Sequence, residues 1–468
     1  MRHWFQRLIA IGLILSIAAC GGSDGPAFTW LRVMHAMPDT PTVRARFEDF
    51  VFVRDVAYGI ASDEGGESLL ESANNIARLT ATYQGPGGAV GGTLLTQDVP
   101  MAEDSVSTVI FAGSFDAPEA FTVVTPRLKR PLGSLYVQFA HAALDLGAVD
   151  VYVTAPDTEL TATAPLATIQ PRGASDVLEI PFGDTRIRLT PQGSFDLLMD
   201  SGTQAFPEND LATGPGTQWL FVVTPSIVPG PSPVFLVGST GRLSFRFLDA
   251  GTPATVRAIH ALQDAPAADL VVATDPPATL FSGLEYRDRS PVLASPPGDA
   301  PLQFLVSPGA DLIAELTGRE LGIGLEHTLF LIGPAEQPTV LFNTSQPRSV
   351  ATESRLRFAN LAPDSKFFSI YLTTTEDEAE RIAANRLFRD LRFRVSSDHV
   401  VRAPGDYFLT ITERFFESAA DAADAVETVV LGPTPLALAG GDVLTFVLFA
   451  PANEGEPEVL IQFDDRMP

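Results

Sequence analysis

One short element recurs four times along the chain, and its spacing constrains the fold more than any other feature. The element reads His-Ala-x-x-Asp from His35, His141 and His260, and Asn-Leu-Ala-Pro-Asp from Asn360. The intervals between these four positions are 106, 119 and 100 residues. Since a period of this length is too long for a solenoid repeat, it predicts a tandem array of small domains that each bury a core.

Strand patterns follow each copy of the element. The runs Val149–Val153, Ala268–Val272 and Phe368–Leu372 alternate in polarity, which is typical of strands that bury one face. A turn pattern of proline followed by Gly-Asp precedes further apolar runs. The 38 prolines and 37 glycines of the chain also indicate many turns. About seven short strands in each module are typical of a β-sandwich. We therefore predict an all-β chain of four tandem immunoglobulin-like β-sandwich domains.

Helical patterns are short and few. We expect helices only around Glu67–Ala73, Glu376–Arg386 and Glu417–Val426. The last of these is rich in alanine with acids throughout, which is typical of a solvated loop helix on the edge of a sandwich.

The N-terminus predicts export. Residues 1–7 are basic and Leu8–Ile17 is an apolar run of ten residues, shorter than the roughly 20 residues that cross a bilayer. The following segment, Leu15–Gly21, resembles the lipobox of bacterial lipoproteins and contains Cys20, the single cysteine of the chain. That resemblance implies cleavage before Cys20 and acylation of its thiol and amino group. The alternative is an ordinary cleaved signal followed by a cysteine without a role.

The predicted organisation follows from these features. It comprises a lipoprotein signal peptide over 1–19, a tether over 20–28, and β-sandwich modules over 29–130, 131–250, 251–352 and 353–468. Several acyl chains would anchor the exported part to a membrane without a transmembrane helix. Because Gly21, not aspartate, follows the cysteine, resemblance to the bacterial sorting rule favours the outer membrane, with the modules facing the periplasm or the cell surface.

The repeated element, the strand after it and the Pro-Gly-Asp turn together resemble the bacterial family called domain of unknown function 4397. Asp55–Gly59 in the first module contributes to the same resemblance, which covers most of residues 27–468. The resemblance implies tandem β-sandwich domains in an exported or cell-surface protein. The family carries no known activity, so it implies a fold and a location only.

Charge excludes one class of function and leaves another open. The formal net charge is −26, from 31 Lys and Arg against 57 Asp and Glu, so we expect no nucleic-acid partner. The acidity fits either solubility or binding of Ca²⁺ through carboxylates. The nearest approach to a calcium loop, Ser62–Glu67, lacks the required spacing of oxygen ligands.

The pairs His35 with Asp39, His141 with Asp145 and His260 with Asp264 are the candidate chemical residues. They lie where a strand enters a turn, so the helical argument for a shared face at a spacing of four does not apply. A residue type that recurs in every module is better explained by the fold than by one active site. We expect the aspartates to accept hydrogen bonds from nearby backbone amides, and the histidines or Asn360 to pair with backbone groups beside the turn.

These observations predict a non-catalytic protein. No nucleophile elbow, zinc-protease helix or phosphate-binding loop is present, so we assign no catalytic, metal-binding or cofactor-binding residue, and only Cys20 as a site of lipidation. We expect a lipid-anchored binding, adhesion or structural module whose partners are the membrane and an envelope protein or extracellular polysaccharide. The alternatives are an extracellular glycan hydrolase and a calcium-dependent carbohydrate-binding protein. The end loops Ala155–Pro165 and Phe415–Thr428 are the predicted contact regions.

Overall fold

The computed structural model describes eleven stretches of the chain, which are residues 28–47, 50–63, 65–68, 76–127, 134–206, 218–309, 311–346, 348–362, 367–414, 427–449 and 459–465. The predicted signal peptide, the predicted lipidation site Cys20 and most of the Phe415–Thr428 loop lie outside these ranges. Within them the chain is almost wholly β-structure, and the strands form two sheets in each of four modules.

In the described residues, modules 1 and 2 each contain nine strands. Those of module 1 are β1 (Phe28–His35), β2 (Val43–Phe47), β3 (Phe50–Val56), β4 (Ile60–Ala61), β5 (Gly65–Ser68), β6 (Ile76–Gln84), β7 (Val90–Pro100), β8 (Ser105–Gly113) and β9 (Pro118–Pro126). Those of module 2 are β10 (Leu135–His141), β11 (Val149–Thr154), β12 (Ala167–Ile169), β13 (Leu178–Ile180), β14 (Gly183–Pro191), β15 (Met199–Phe206), β16 (Gln218–Pro225), β17 (Val234–Ser239) and β18 (Ser244–Phe247).

Modules 3 and 4 follow the same plan. The strands of module 3 are β19 (Ala254–His260), β20 (Ala268–Val272), β21 (Ala278–Leu284), β22 (Leu293–Ser295), β23 (Leu302–Val306), β24 (Leu312–Leu316), β25 (Glu326–Ile332) and β26 (Thr339–Ser345). Those of module 4 are β27 (Ser354–Asn360), β28 (Phe367–Thr373), β29 (Arg386–Leu391), β30 (Val395–Ser396), β31 (Val400–Arg402), β32 (Gly405–Arg414), β33 (Glu427–Leu438), β34 (Val443–Phe449) and β35 (Val459–Asp464). Four short 3₁₀ turns lie between strands, at Pro86–Gly88, Leu160–Ala162, Glu378–Glu380 and Ala383–Asn385.

Each module has a first sheet, which holds the strand that ends in the repeated element, and a second sheet. In module 1 the first sheet has the order β4-β1-β8-β9 and the second the order β3-β2-β6-β7. The other modules repeat this arrangement, and module 2 adds β18 at the edge of its first sheet. The predicted all-β array of sandwich domains is confirmed, and the described part of each module holds eight or nine strands where about seven were expected.

The centre of every first sheet is a parallel pair. β1 pairs with β8, β10 with β16, β19 with β25 and β27 with β34, and all the other strand pairs are antiparallel. The His or Asn of the repeated element ends the first strand of each parallel pair and lies opposite an apolar residue of the other strand. His35 lies opposite Phe111, and Asn360 lies opposite Leu448. Strands of a parallel pair that are covered on both faces read as continuous apolar runs. This explains why β10, β19, β25 and β34 are buried along their whole length.

One face of each first sheet packs on the second sheet of its own module. In β1, Leu31 and Val33 point into the core of module 1 together with Leu79 and Phe111. Met34 and Ala36, on the other face, belong to a different cluster. Because successive side chains of a strand alternate between faces, each first sheet has a second apolar face to cover.

That second face packs against the neighbouring module. The outer faces of modules 1 and 2 form one buried cluster, in which Met34 and Ile110 meet Leu220 and Val222. The outer faces of modules 3 and 4 form another, in which Ile259 and Phe330 meet Val447 and Phe449. The four modules therefore dock as two pairs, here called pair 1–2 and pair 3–4.

The two pairs also contact each other near Tyr58. Arg348, in the segment between modules 3 and 4, donates to Pro38 O at 3.3 Å and lies over the Tyr58 ring at 5.4 Å. Arg246 of β18 donates to Gly59 O at 3.2 Å and to Gln346 Oε1 at 3.2 Å. Modules 1 and 2 and the segment before module 4 thus meet at one place.

The helix predictions agree less well with the structure than the strand predictions do. Glu67 and Ser68, expected in a helix, lie in β5, and residues 69–75 are outside the described ranges. The stretch Glu376–Arg386 forms two 3₁₀ turns, the first capped by Asp377, whose side chain accepts from Ala379 N. A segment this short gains too few hydrogen bonds to nucleate an α-helix between two paired strands. The expected helix at Glu417–Val426 lies outside the described residues.

Candidate functional site

His35, the first of the candidate residues, is fully buried at the end of β1. Its Nδ1 accepts from Met37 N at 3.2 Å, so Nε2 carries the proton and donates to Pro41 O at 2.9 Å. Thr40 O lies 3.3 Å from the same nitrogen. Both ring nitrogens are therefore occupied by the backbone of the turn that follows.

His260 and Asn360 use the same two contacts, and His141 uses one of them, because its Nδ1 has no hydrogen-bond partner among the described residues. His260 accepts from Leu262 N at 3.3 Å and donates to Pro266 O at 3.1 Å, and His141 lies 3.0 Å from Gly147 O. Asn360 reproduces the pattern with an amide, because Oδ1 accepts from Ala362 N at 3.2 Å and Nδ2 donates to Leu391 O at 3.1 Å. The prediction that these residues pair with backbone groups beside the turn is confirmed.

Burial fixes the charge state of these histidines. Burial, assisted by the nearby Arg348 guanidinium, lowers the pKa of His35 to about 3, and burial also lowers the pKa values of His141 and His260. His35 and His260 stay neutral with both nitrogens occupied, so they offer neither a general base nor a metal ligand at neutral pH. His141 is also completely buried, although its Nδ1 has no partner among the described residues.

The predicted role of Asp39 is wrong. Its carboxylate accepts from Phe115 N, at 2.9 and 3.1 Å from the two oxygens, where a nearby backbone amide was expected. Phe115 lies between β8 and β9, so Asp39 ties the first turn to a distant hairpin. Asp264 instead occupies the turn with a φ of 58°, a conformation that aspartate tolerates better than most residues. The position of Asp364 falls outside the described residues.

Other kinds of site are not built in the described part of the chain. No three His, Cys, Asp or Glu side chains there are grouped to hold a metal ion. A small cavity inside module 4 is lined by apolar side chains alone, including Phe358, Phe368 and Leu391, so it lacks polar groups that would orient a substrate. Among the residues the structure describes, no helix has the length and apolarity needed to cross a membrane.

Among the described residues, a cluster of four buried charged side chains lies between modules 3 and 4. It consists of Arg257 and Glu326 from module 3 and Arg357 and Asp465 from module 4, and we call it the buried quartet. Each of these side chains is at most 3% exposed. Asp465 accepts from the guanidinium groups of both arginines, with a distance of 3.2 Å from Arg357 Nη2. One carboxylate therefore joins two arginines from different modules.

Glu326 is the least satisfied member of the quartet. Its Oε2 lies 3.6 Å from Arg257 Nη2, beyond hydrogen-bond distance, and neither carboxylate oxygen has a hydrogen-bond partner among the described residues. Arg257 Nε and Thr328 Oγ1, on the same face, are also unpartnered. Burial raises the pKa of Glu326, which means that the site disfavours its charge.

Pair 1–2 holds a different polar group at the equivalent place. Arg32, which corresponds to Arg257, donates to Thr108 Oγ1 at 3.0 Å and to Ser239 Oγ at 3.1 Å. Gln138, which corresponds to Arg357, accepts from Thr125 at 2.6 Å and donates to Ser175 O at 2.9 Å. In β8, Val106 lies two residues before Thr108, which is the strand partner of Arg32. In β25, Glu326 lies two residues before Thr328, which is the strand partner of Arg257. Val106 therefore takes the position of Glu326 in pair 1–2. This interface is polar without a buried acid at these positions.

A different surface stands out at one end of module 2. Between β14 and β15, Phe195 and Leu197 are 52% and 51% exposed. Their hairpin is held through its backbone amides, since Gln192 N donates to the backbone Ala148 O at 2.9 Å and Gly193 N donates to the side-chain Asp150 Oδ2 at 2.7 Å. Two large apolar side chains are therefore displayed on an ordered turn.

The predicted contact loop Ala155–Pro165 is folded against module 2. Arg186 donates to Pro156 O at 3.2 Å, and Arg188 donates to Thr158 O at 2.7 Å. Leu160, in the middle of the loop, is 8% exposed. This loop buries its leucine against the module, and the apolar residues that it leaves exposed are small, namely Ala155, Ala162, Ala164 and Pro165.

A family model matches the sequence of this chain. The model described as "Domain of unknown function (DUF4397)" matches residues 29–152 and 254–371, which are more than half of the chain. The chain belongs to this family. The two DUF4397 matches begin at equivalent strands, β1 and β19, and end at equivalent tyrosines, Tyr152 and Tyr371. Each match covers one module and the first strands of its docked neighbour, so the DUF4397 pattern repeats with the pairs.

Other comparisons add little to the DUF4397 assignment. No curated protein matches the sequence. A solved structure titled "The Bacillus anthracis TIE protein" is 10% identical, with 90% of this chain and 68% of that chain covered and a TM-score of 0.15. A similarity at this level carries no inference about either fold or function.

The sequence contained a signal for the quartet that the repeat analysis did not use. Arg32, Gln138, Arg257 and Arg357 stand at the same place, three residues before the recurring His or Asn, inside an apolar strand. A polar residue at a fixed buried position indicates a partner across an interface. The acids Glu326 and Asp465 have no recurring pattern, so only the structure could reveal them.

Proposed function

We propose that this DUF4397 protein is a lipid-anchored component of the cell envelope that acts as a non-catalytic binding, adhesion or structural module. The lipobox-like sequence at Cys20 supports the anchor. The use of His35, His260 and Asn360 by the turn backbone supports a non-catalytic role, because the one recurring candidate for chemistry is occupied by the fold.

The observation that carries the binding role is the hairpin of module 2 with Phe195 and Leu197. Exposed apolar side chains on an ordered turn lose little entropy when they become buried in a partner, and such anchors supply most of the energy of many interfaces. The acidic chain, with a net charge of −26, adds repulsion from anionic polymers, so we expect a neutral polysaccharide or an envelope protein as the partner.

A retention assay tests the binding role. The purified chain is immobilised and offered neutral cell-surface polysaccharide or solubilised envelope protein, and both retained and released material are measured. We expect retention without release of shortened glycan, and at least about a tenfold loss in a Phe195→Ser/Leu197→Ser variant. Leu312→Ser is the control, since Leu312 begins β24 after the corresponding hairpin of module 3 and is 55% exposed. Release of shortened glycan, or equal retention by the double variant, would contradict the proposal.

Palmitate labelling tests the anchor. Wild type should incorporate the label and Cys20→Ala should not, because Cys20 is the single thiol of the chain. Equal labelling of the two would exclude lipidation at this position. Protease treatment of intact cells then separates surface display from a periplasmic position, and a fully protected chain would contradict an adhesion role.

A further inference from the structure

The two docked pairs differ in how their modules are held. In pair 1–2, fourteen buried apolar residues form the shared cluster, and in pair 3–4 eight do so, counted over the described residues. With the partly buried apolar side chains packed against each cluster, seventeen described residues contribute in pair 1–2 and twelve in pair 3–4. We therefore infer a smaller hydrophobic gain in the second interface.

Pair 1–2 is also braced outside its cluster. The Tyr58 hydroxyl of module 1 donates to Pro225 O of module 2, and Arg172 of module 2 makes two hydrogen bonds of 2.5 and 2.7 Å with Glu119 of module 1. In addition, Arg246 of module 2 donates to Gly59 O of module 1. These contacts connect the modules at several separate points. Pair 3–4 is braced through Arg289 of module 3, which donates to Asp464 O at 2.8 Å and lies 4.9 Å over the Phe463 ring of module 4.

Pair 3–4 contains the less favourable polar group. Burying a charged pair gains stability only when its geometry is good and its remaining polar atoms are satisfied. Asp465 meets these conditions through Arg257, Arg357 and Thr445. Glu326 does not, because both its oxygens are unpartnered, and an unpartnered buried acid costs more than the valine found at its place in module 1.

We propose that the contact between modules 3 and 4 is a joint that opens while modules 1 and 2 stay docked, and that Glu326 keeps this joint weak. When the joint opens, the carboxylate of Glu326 regains water and the outer apolar face with Ile259 and Phe330 becomes accessible. Arg257, Arg357 and Asp465 also become hydrated, which offsets the loss of their ion pairs.

Pulsed electron paramagnetic resonance on the full chain tests this proposal. The Cys20→Ala chain has no other thiol, so spin labels can be placed at Glu336 and Asp406, which are exposed in modules 3 and 4. Labels at the exposed Asp116 and Asp184 report on modules 1 and 2 in a control sample. We expect the first pair of labels to show a second, longer distance and the control pair to show one narrow distance. A single narrow distance in both samples would overturn the joint.

The role of Glu326 has its own variant. In Arg257→Met/Glu326→Val the weak pair is replaced by apolar side chains, while Arg357 keeps Asp465 and Thr445 as partners. We expect the longer-distance population to fall by about tenfold, since apolar replacement of a poorly paired buried ion pair is neutral to stabilising. An unchanged or larger population would show that Glu326 stabilises docking and overturn its assigned role.

A second measurement covers the case in which the double variant does not fold. The tryptophans of the modules are Trp30 and Trp219, both in pair 1–2, because the third, Trp4, lies in the predicted signal peptide. Urea added to the wild type should lengthen the distance between the labels at 336 and 406 before tryptophan fluorescence changes. Coincident changes in the two signals would contradict a separate joint.

Discussion

Pair 1–2 and pair 3–4 place the same sheet faces against each other and fill the polar part of the interface differently. In pair 1–2, Arg32 is paired with the hydroxyls of Thr108 and Ser239. In pair 3–4, Arg257 and Arg357 share the carboxylate of Asp465. The comparison teaches that the arginine of the first module in each pair, Arg32 or Arg257, takes an acceptor from the neighbouring module, and that this acceptor can be neutral or charged. Because two arginines share one carboxylate in pair 3–4, the stability of that interface depends on Asp465.

Asp465→Asn should therefore have the largest effect on pair 3–4. Two buried guanidinium groups would lose their shared counter-charge, which costs about 3–5 kcal/mol in buried pairs. The midpoint of chemical unfolding measured by far-ultraviolet circular dichroism should fall, while the tryptophan transition of pair 1–2 stays in place. A variant with an unshifted midpoint would show that the quartet does not stabilise docking.

Substitutions of His35 test whether the histidine of pair 1–2 can be replaced by the asparagine that pair 3–4 has at Asn360. His35→Ala removes partners from Met37 N and Pro41 O and leaves a cavity, and should lower the stability of pair 1–2 by about 2–4 kcal/mol. His35→Asn should lower it by less than about 1 kcal/mol, because Asn360 makes the same contacts in module 4. Urea unfolding followed by tryptophan fluorescence measures both. Similar losses in the two variants would mean that the amide cannot replace the ring.

Acid titration sharpens the same comparison. The pKa of His35 is about 3 in the folded chain and about 6.5 in the unfolded chain, so the unfolded chain binds the extra proton. The contribution of His35 to the free energy of unfolding of pair 1–2 is therefore fully present above about pH 6.5. It falls by up to about 1.4 kcal/mol per pH unit as the pH is lowered toward 3. His141 acts in the same direction, since burial lowers its pKa too. The difference between wild type and His35→Asn isolates the contribution of His35, and parallel pH profiles for the two would contradict it.

Ser239→Ala is the neutral counterpart of Asp465→Asn and should have the smallest effect. It removes one hydrogen-bond acceptor from Arg32, which keeps Thr108, so we expect a loss of about 1 kcal/mol in pair 1–2. Tryptophan fluorescence in urea measures this loss. A loss as large as that of Asp465→Asn in pair 3–4 would remove the distinction between neutral and charged acceptors.

Much of the fold could be predicted from sequence because local patterns determine it. The spacing of His35, His141, His260 and Asn360 gave the number of modules, and alternating runs such as Val149–Val153 gave strands. The exchange of histidine for Asn360 could be understood in advance, because both side chains donate and accept.

What the sequence did not predict depends on contacts between distant residues. The bond from Phe115 N to Asp39 joins positions 76 residues apart, and nothing near Asp39 indicates it. The docking of modules through their first sheets also escaped prediction, since an outer face of Met34 and Ile110 has the same composition as a core face. The helix expected at Glu376–Arg386 did not form because such a short acidic segment is a weak signal and too short to make a stable helix alone. The alanine-rich helix expected at Glu417–Val426 stays a prediction.

The parallel strand pairs have a consequence for the synthesis of each module. Strand β1 takes its central partner from β8, in a register that joins Trp30 to Val106 and His35 to Phe111. A growing chain must therefore hold its first strand without that neighbour until about 76 more residues have been made. Such long-range closure is slow, and the outer face of β1 must wait longer still for module 2. We expect a nascent module to need protection of this strand, and the chain to become resistant to proteolysis in steps of two modules.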